Sequence, residues 1–164
     1  GYGHAKIALQ EALECHRGPH RDKYDALMAD TKTLDDMLEA NRLILDRVER
    51  RVDGETGGSE VEGRVVIEPG ATVTRSRILG PAVIGAGATL TDCYIGPYTA
   101  IGEGCVVEGA EVGFSILLAG SSVRHLDGRM EASLLGKNSA ISRGDRQPRA
   151  HRFLIGDNST VEII

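Results

Sequence analysis

A 17-residue period between Ile67 and Val123 restricts this 164-residue chain more than any other feature. Ile67, Ile84, Ile101 and Leu118 stand at that spacing, as do Val73, Leu90 and Val107, and Ile78, Ile95 and Val112. Each repeat divides into three apolar steps of nearly equal length, from Ile67 to Val73 to Ile78 to Ile84. Small residues keep the register, as Gly70, Gly87, Gly104 and Ser121, then Ala71, Ala88, Cys105 and Ser122. Such self-similarity marks a solenoid, in which each repeat buries its apolar face only against its neighbours. Three short strands per repeat, each turning one aliphatic residue inward, close a triangular coil. Coils stacked at about 4.8 Å pile equivalent residues into interior ladders. Corners need residues that accept positive φ, which glycines such as Gly87 and Gly104 supply. The expected fold is mainly β, a parallel β-helix. Ile67, Ile84 and Ile101 should form one buried ladder, with Glu68, Gly85 and Gly102 beside them at corners.

The remaining sequence constrains what such a solenoid can do. A net charge of −5 and a pI near 5.5 argue against nucleic acid or a membrane surface as the main partner. Three cysteines, Cys15, Cys93 and Cys105, have no metal-ligand spacing and cannot all pair, which suits a reduced, cytoplasmic protein. No apolar run reaches the length of a membrane span, and the N-terminus carries no signal-peptide pattern.

Two short α-helices are expected ahead of the coils. Ala5, Ala8, Leu9, Ala12 and Leu13 recur at helical spacing before Gly18-Pro19. Thr33 with Asp36 after it reads as a helix start, and Leu34, Met37, Leu38, Asn41, Leu45 and Val48 share the face that follows. Residues 49–64, charged and interrupted by Gly54, Gly57, Gly58 and Gly63, read as a linker. The coils occupy 65–164, interrupted by a polar excursion at 124–132 and a basic one at 142–152. Phe153 to Ile164 reads as the final turns. The wide apolar helix face and the open last coil both need covering, so a homo-oligomer is expected.

Ile84-Gly85-Ala86-Gly87-Ala88-Thr89, Ile101-Gly102-Glu103-Gly104-Cys105-Val106 and Ile155-Gly156-Asp157-Asn158-Ser159-Thr160 resemble the hexapeptide-repeat family. That resemblance implies a left-handed β-helix, against the general preference for right-handed crossovers. A second resemblance covers Asp30-Thr31, the run Asp35-Asp36-Met37-Leu38-Glu39-Ala40-Asn41-Arg42, and Pro148-Arg149-Ala150-His151-Arg152 before Phe153. In that order these are similar to the C-terminal region of long-form glucose-1-phosphate thymidylyltransferases, which are sugar-1-phosphate nucleotidyltransferases. Residues 1–48 then correspond to the end of a catalytic domain. The implied chemistry is Mg²⁺-dependent transfer of a nucleotidyl group from a nucleoside triphosphate to a sugar phosphate, with Asp30 as a metal ligand. Lys32 stands where the family pattern has Gly, and Leu27-Met28 replace aromatics. The Gly-rich nucleotide loop of that family has no counterpart in the sequence, so no residue is assigned to nucleotide binding and none to catalysis under this reading.

Two other classes remain open. A hexapeptide-repeat acyltransferase would use His125, on the excursion leaving the coils, as general base toward an acyl-CoA thioester. A purely structural β-helix would need no site. For each candidate the bland reading also stands: Asp30 as a solvated carboxylate, and the basic stretch 142–152 as a solvated loop, a subunit contact or an effector site.

Overall fold

A computed structural model describes residues 33–144 and Val161. The first described element is helix α1, Leu34–Leu45. Thr33 caps it: the Thr33 hydroxyl accepts from the Asp36 amide at 3.2 Å, and the Asp36 carboxylate accepts from the Thr33 amide at 3.0 Å. Two of the otherwise unpaired N–H groups at the helix start are thereby satisfied. The earlier helix expected over Ala5 to Leu13 lies outside the described residues, as do the final turns from Phe153, Val161 apart.

The coils follow one another along the chain. The first holds β1 (Arg51–Val52) and β2 (Glu60–Glu62). Next come β3 (Val65–Ile67), β4 (Thr72–Thr74) and β5 (Arg77–Leu79). The third coil is β6 (Ala82–Ile84), β7 (Thr89–Thr91) and β8 (Tyr94–Ile95). The fourth is β9 (Thr99–Ile101), β10 (Val106–Glu108) and β11 (Glu111–Gly113). The fifth is β12 (Ile116–Leu117), β13 (Ser122–Arg124) and β14 (Arg129–Glu131). β15 (Leu134–Leu135) and β16 (Ala140–Ser142) begin a sixth. All pairings are parallel and fall into three sheets: β1-β3-β6-β9-β12-β15, β16-β13-β10-β7-β4 and β14-β11-β8-β5-β2. The fold is a parallel β-solenoid with one described helix.

Ile67, Ile84 and Ile101 pair in direct register on the first sheet, each at most 1% exposed. Glu68, Gly85 and Gly102 follow them as expected. The ladder then departs from its earlier spacing. Ile101 pairs with Leu117, not Leu118, so that step falls one residue short of the period. Leu118 instead packs outward with Met37, Ile44 and Ile116 beneath the helix. The small-residue column shifts with it, to Gly120 at φ +71° and to buried Ser121, whose Oγ lies 3.3 Å from Cys105 Sγ. The missing residue comes from the corner between Val112 and Leu117. The same coil then gains two residues between Val123 and Met130, so that Val112 faces Met130, a step one residue longer than the period. Leu118 was a plausible ladder member because both it and Leu117 are apolar. Only strand pairing separates them.

Residues 49–64 are not a linker. β1 pairs with β3, β2 pairs with β5, and Glu55 bridges Thr72. These residues form a first coil whose interior is thin: Val61 is partly buried and Val52 is 39% exposed. With so few inward aliphatics, the apolar period that announces the other coils is missing.

Helix α1 lies on the outer face of the first sheet. One cluster joins Met37, Leu38 and Ile44 to Ala100, Ile116 and Leu118, and another joins Leu45 and Val48 to Val66 and Val83. The outward row of the sheet is therefore as apolar as the inward one, which a strand covered on both faces requires. Burying each Leu or Val side chain contributes about 1.5–3 kcal/mol. The helix face expected to need cover is covered within the chain itself. No described helix is long and apolar enough to cross a membrane.

Candidate functional site

The triangular coil creates three columns of corners, and one of them carries most of the candidate chemistry. Between the second and third sheets the corner residues are Gly58, Arg75, Asp92, Gly109 and His125, all with φ between +46° and +61°. That column explains why His125 has left-handed backbone: it occupies the corner that glycine fills in the coil before. Its amide donates to Glu108 O at 2.8 Å. The imidazole lies over Gly109, where an alanine methyl would come within 2.8 Å of Nδ1. Nε2 is 3.7 Å from Glu108 Oε1, and the side chain is 62% exposed. Sequence reasoning placed His125 on an excursion leaving the coil, and the structure brings it beside a carboxylate.

An open cavity of about 820 Å³ adjoins this corner. It is lined by small residues (Ser76, Cys93, Gly109, Ala110), by Arg75, Arg77, Asp92, Tyr94 and Glu111, and by Leu126, which also packs on the core. His125 does not line it. Arg75 and Asp92 form a two-bonded pair, Nε and Nη2 each 2.7 Å from a carboxylate oxygen, and the Arg75 hydrogen bond holds the Asp92 carboxyl below its usual range. Cys93 is 7% exposed; burial pushes its thiol up to about 11, with the Ser76 hydroxyl 3.3 Å from Sγ opposing the rise. A thiol held protonated in this way is a poor nucleophile. The charged walls were missed in the sequence, although Glu60, Arg77, Tyr94 and Glu111 repeat at the same spacing as the ladders. That outward row was the signal available.

A second polar cluster fixes the helix to the coils. Asn41 is fully buried and its amide donates to Tyr98 O at 3.0 Å, while its Oδ1 has no partner. The Tyr98 hydroxyl donates to Asp46 Oδ1 at 3.1 Å, and the Arg64 guanidinium binds the Asp46 carbonyl. Arg42 bridges Glu39 and Asp46 along the helix, and its hydrogen bond lowers the Glu39 carboxyl.

Asp30, assigned above to a metal, lies outside the described residues. Among the described residues no three His, Cys, Asp or Glu side chains gather as a metal site, so no ligand set for Mg²⁺ can be built from them. Of the basic excursion only its start is described, where Arg143 reaches Asp127 at 2.6 Å.

No family model matches the chain. Sequence relatives decide its kinship. A glucose-1-phosphate thymidylyltransferase from Streptomyces antibioticus is 47% identical over 135 residues, 82% of this chain and 38% of that protein. Another from Streptomyces griseus is 41% identical over 157 residues, 95% of this chain and 44% of that protein. The chain is a homologue of glucose-1-phosphate thymidylyltransferases. It spans less than half the length of these relatives and corresponds to their C-terminal part. A low-salt glycan biosynthesis nucleotidyltransferase from Haloferax volcanii is 35% identical over 160 residues, 95% of this chain and 44% of that protein. A solved mutant perosamine N-acetyltransferase from Caulobacter crescentus, in complex with CoA and GDP-perosamine, covers 86% of this chain and 89% of its own. Its TM-score of 0.27 and 17% identity are too low to carry an argument. The thymidylyltransferase homology runs through the helix and the coils alike.

Proposed function

We propose that this chain is the C-terminal β-helix module of a sugar-1-phosphate nucleotidyltransferase, and that its own work is assembly and support. The observation that carries this is the 41% identity to a glucose-1-phosphate thymidylyltransferase over 95% of the chain. In the full-length enzyme a phosphate oxygen of glucose 1-phosphate attacks the α-phosphorus of dTTP. A new P–O bond forms, the bond to the β-phosphate breaks, and pyrophosphate leaves. Mg²⁺ bound through Asp30 would offset phosphate charge in that parent. No step of the module itself passes through either. The buried α1 interface supports this reading, since it gives a preceding domain a rigid mount on the coils. The reading extends to a left-handed coil, to a cytoplasmic homo-oligomer, and to residues 142–152 as an effector or subunit contact.

The acyltransferase reading has no such support. His125 sits outside the cavity, packed on Gly109, and no observation favours it over a corner residue. The test is pyrophosphate release from glucose 1-phosphate and dTTP with Mg²⁺. The chain alone should give none, and the chain joined to a nucleotide-binding half from a relative should give turnover that Asp30→Ala reduces. Robust release by the isolated chain would refute the proposal.

A further inference from the structure

The outer face of the third sheet carries a charge pattern that is complementary to itself. Read from β2 through β5, β8 and β11 to β14, paired positions present Glu60, Arg77, Tyr94, Glu111 and Arg129. The signs run minus, plus, neutral, minus, plus, with Tyr94 on the central strand. Reversing that order changes every sign. A second copy laid face to face, related by a two-fold axis parallel to β8 and passing over Tyr94, would set Glu60 against the partner's Arg129. It would also set Arg77 against the partner's Glu111, and Tyr94 against the partner's Tyr94. A two-fold along the solenoid axis would instead place like charges opposite one another.

The other faces do not offer this. The first sheet is covered by α1, and the outward rows of the second are mainly threonine, serine and alanine, with Val106 and Glu108 on β10 and Arg124 on β13. The four charged side chains of the Tyr94 row are 46–74% exposed. They already have intrachain neighbours: Arg77 lies 3.5 Å from Glu60 and 3.0 Å from Glu62, and Arg129 lies 3.3 Å from Glu111 with its guanidinium 4.9 Å above the Tyr94 ring. These contacts run along the row, and Arg129 reaches back past Glu111 toward Tyr94, so its guanidinium must swing out over β14 to face the partner's Glu60. In the adjoining outward row, half-buried Leu79 would face the partner's Gly113 and meet the Arg129 and Glu131 side chains there, whose Cδ and Oε1 lie 3.7 and 3.9 Å from where a Cβ on Gly113 would stand. Glu62 and the partner's Glu131 would meet at the rim, where Arg77 already neutralises Glu62.

We infer that this face is an isologous interface with a second copy of the chain, in which each residue's contact is made twice. The inference rests on the assembly role proposed above and names its surface. The test uses light scattering and sedimentation equilibrium on the 164-residue chain. The expected result is a dimer that weakens as salt shortens the Debye length to about 3 Å. Arg77→Glu should raise the dimer Kd about tenfold or more, and adding Glu111→Arg should restore it. Positions 77 and 111 lie two strands apart in one chain, roughly 10 Å, so that rescue reports contact between copies. Glu60→Arg with Arg129→Glu is an independent swap with the same expected rescue, and circular dichroism confirms that each variant folds. An oligomer indifferent to both single reversals, or not restored by either swap, overturns the face but leaves the assembly role standing. A monomer at low salt overturns both, while the pyrophosphate test above remains a separate reading of kinship to the enzyme.

Discussion

Replacing Ile84 by alanine tests the solenoid core most directly. Ile84 is fully buried, on a strand paired to β3 on one side and β9 on the other, with Ile67 and Ile101 above and below it. Buried Ile→Ala changes cost about 2–5 kcal/mol, and the cost grows where the surroundings cannot close on the void. Here both neighbouring coils are pinned by backbone pairing, so the upper half of that range is expected. Against a typical total stability of about 5–15 kcal/mol, this is a large fraction. Urea unfolding followed by far-ultraviolet circular dichroism should show a lower midpoint with an unchanged slope. Ile84→Asp adds an unpaired charge to the same space and should abolish cooperative folding. A loss below about 1 kcal/mol for the alanine variant, or a stable aspartate variant, would refute the interior placement of this ladder.

Two further outcomes are expected. Leu117→Glu should collapse the coils, whereas Leu118→Glu should release α1 while the strands persist, a loss of about 1.5–3 kcal/mol of burial; hydrogen exchange resolved to α1 and to β9 would show the reverse if the register were wrong. Cys93 should bring an alkaline instability. Its pKa rises from 9.0 in the unfolded chain to about 11 in the fold, so the native thiol keeps its proton longer. The stability it contributes is complete below about pH 9 and is lost as pH rises through that window, by about 2–3 kcal/mol at most. In a Cys15→Ser background, urea midpoints at successive pH values should fall more steeply than for Cys93→Ala, and native Cys93 should resist alkylation near pH 8. Equal slopes, together with alkylation as fast as in urea, would contradict the buried thiol.

The ladders and corners were legible because both are periodic, and a period survives without knowledge of partners. The capped start of α1 was legible too, since Thr33 and Asp36 act on backbone groups within one turn. The charged row Glu60, Arg77, Tyr94, Glu111 and Arg129 was present in nearly the same spacing but carried no hydrophobic contrast. Its meaning depends on which residues stand side by side across strands.

By itself, then, the sequence determined a stack of three-sided coils with aliphatic interiors, because only stacking can bury a face that recurs at so short and so regular a period. Tertiary structure decided the rest. It chose Leu117 over Leu118, because two adjacent apolar residues point to opposite faces and only hydrogen-bonded register says which is inside. It drew residues 51–62 into a coil through backbone pairing that needs no apolar signal. It laid α1 along the first sheet, since an amphipathic helix announces that it must be covered but not by what. And it set His125 at a glycine-like corner against Glu108, a placement fixed by the coil beneath it, which no local stretch of sequence contains.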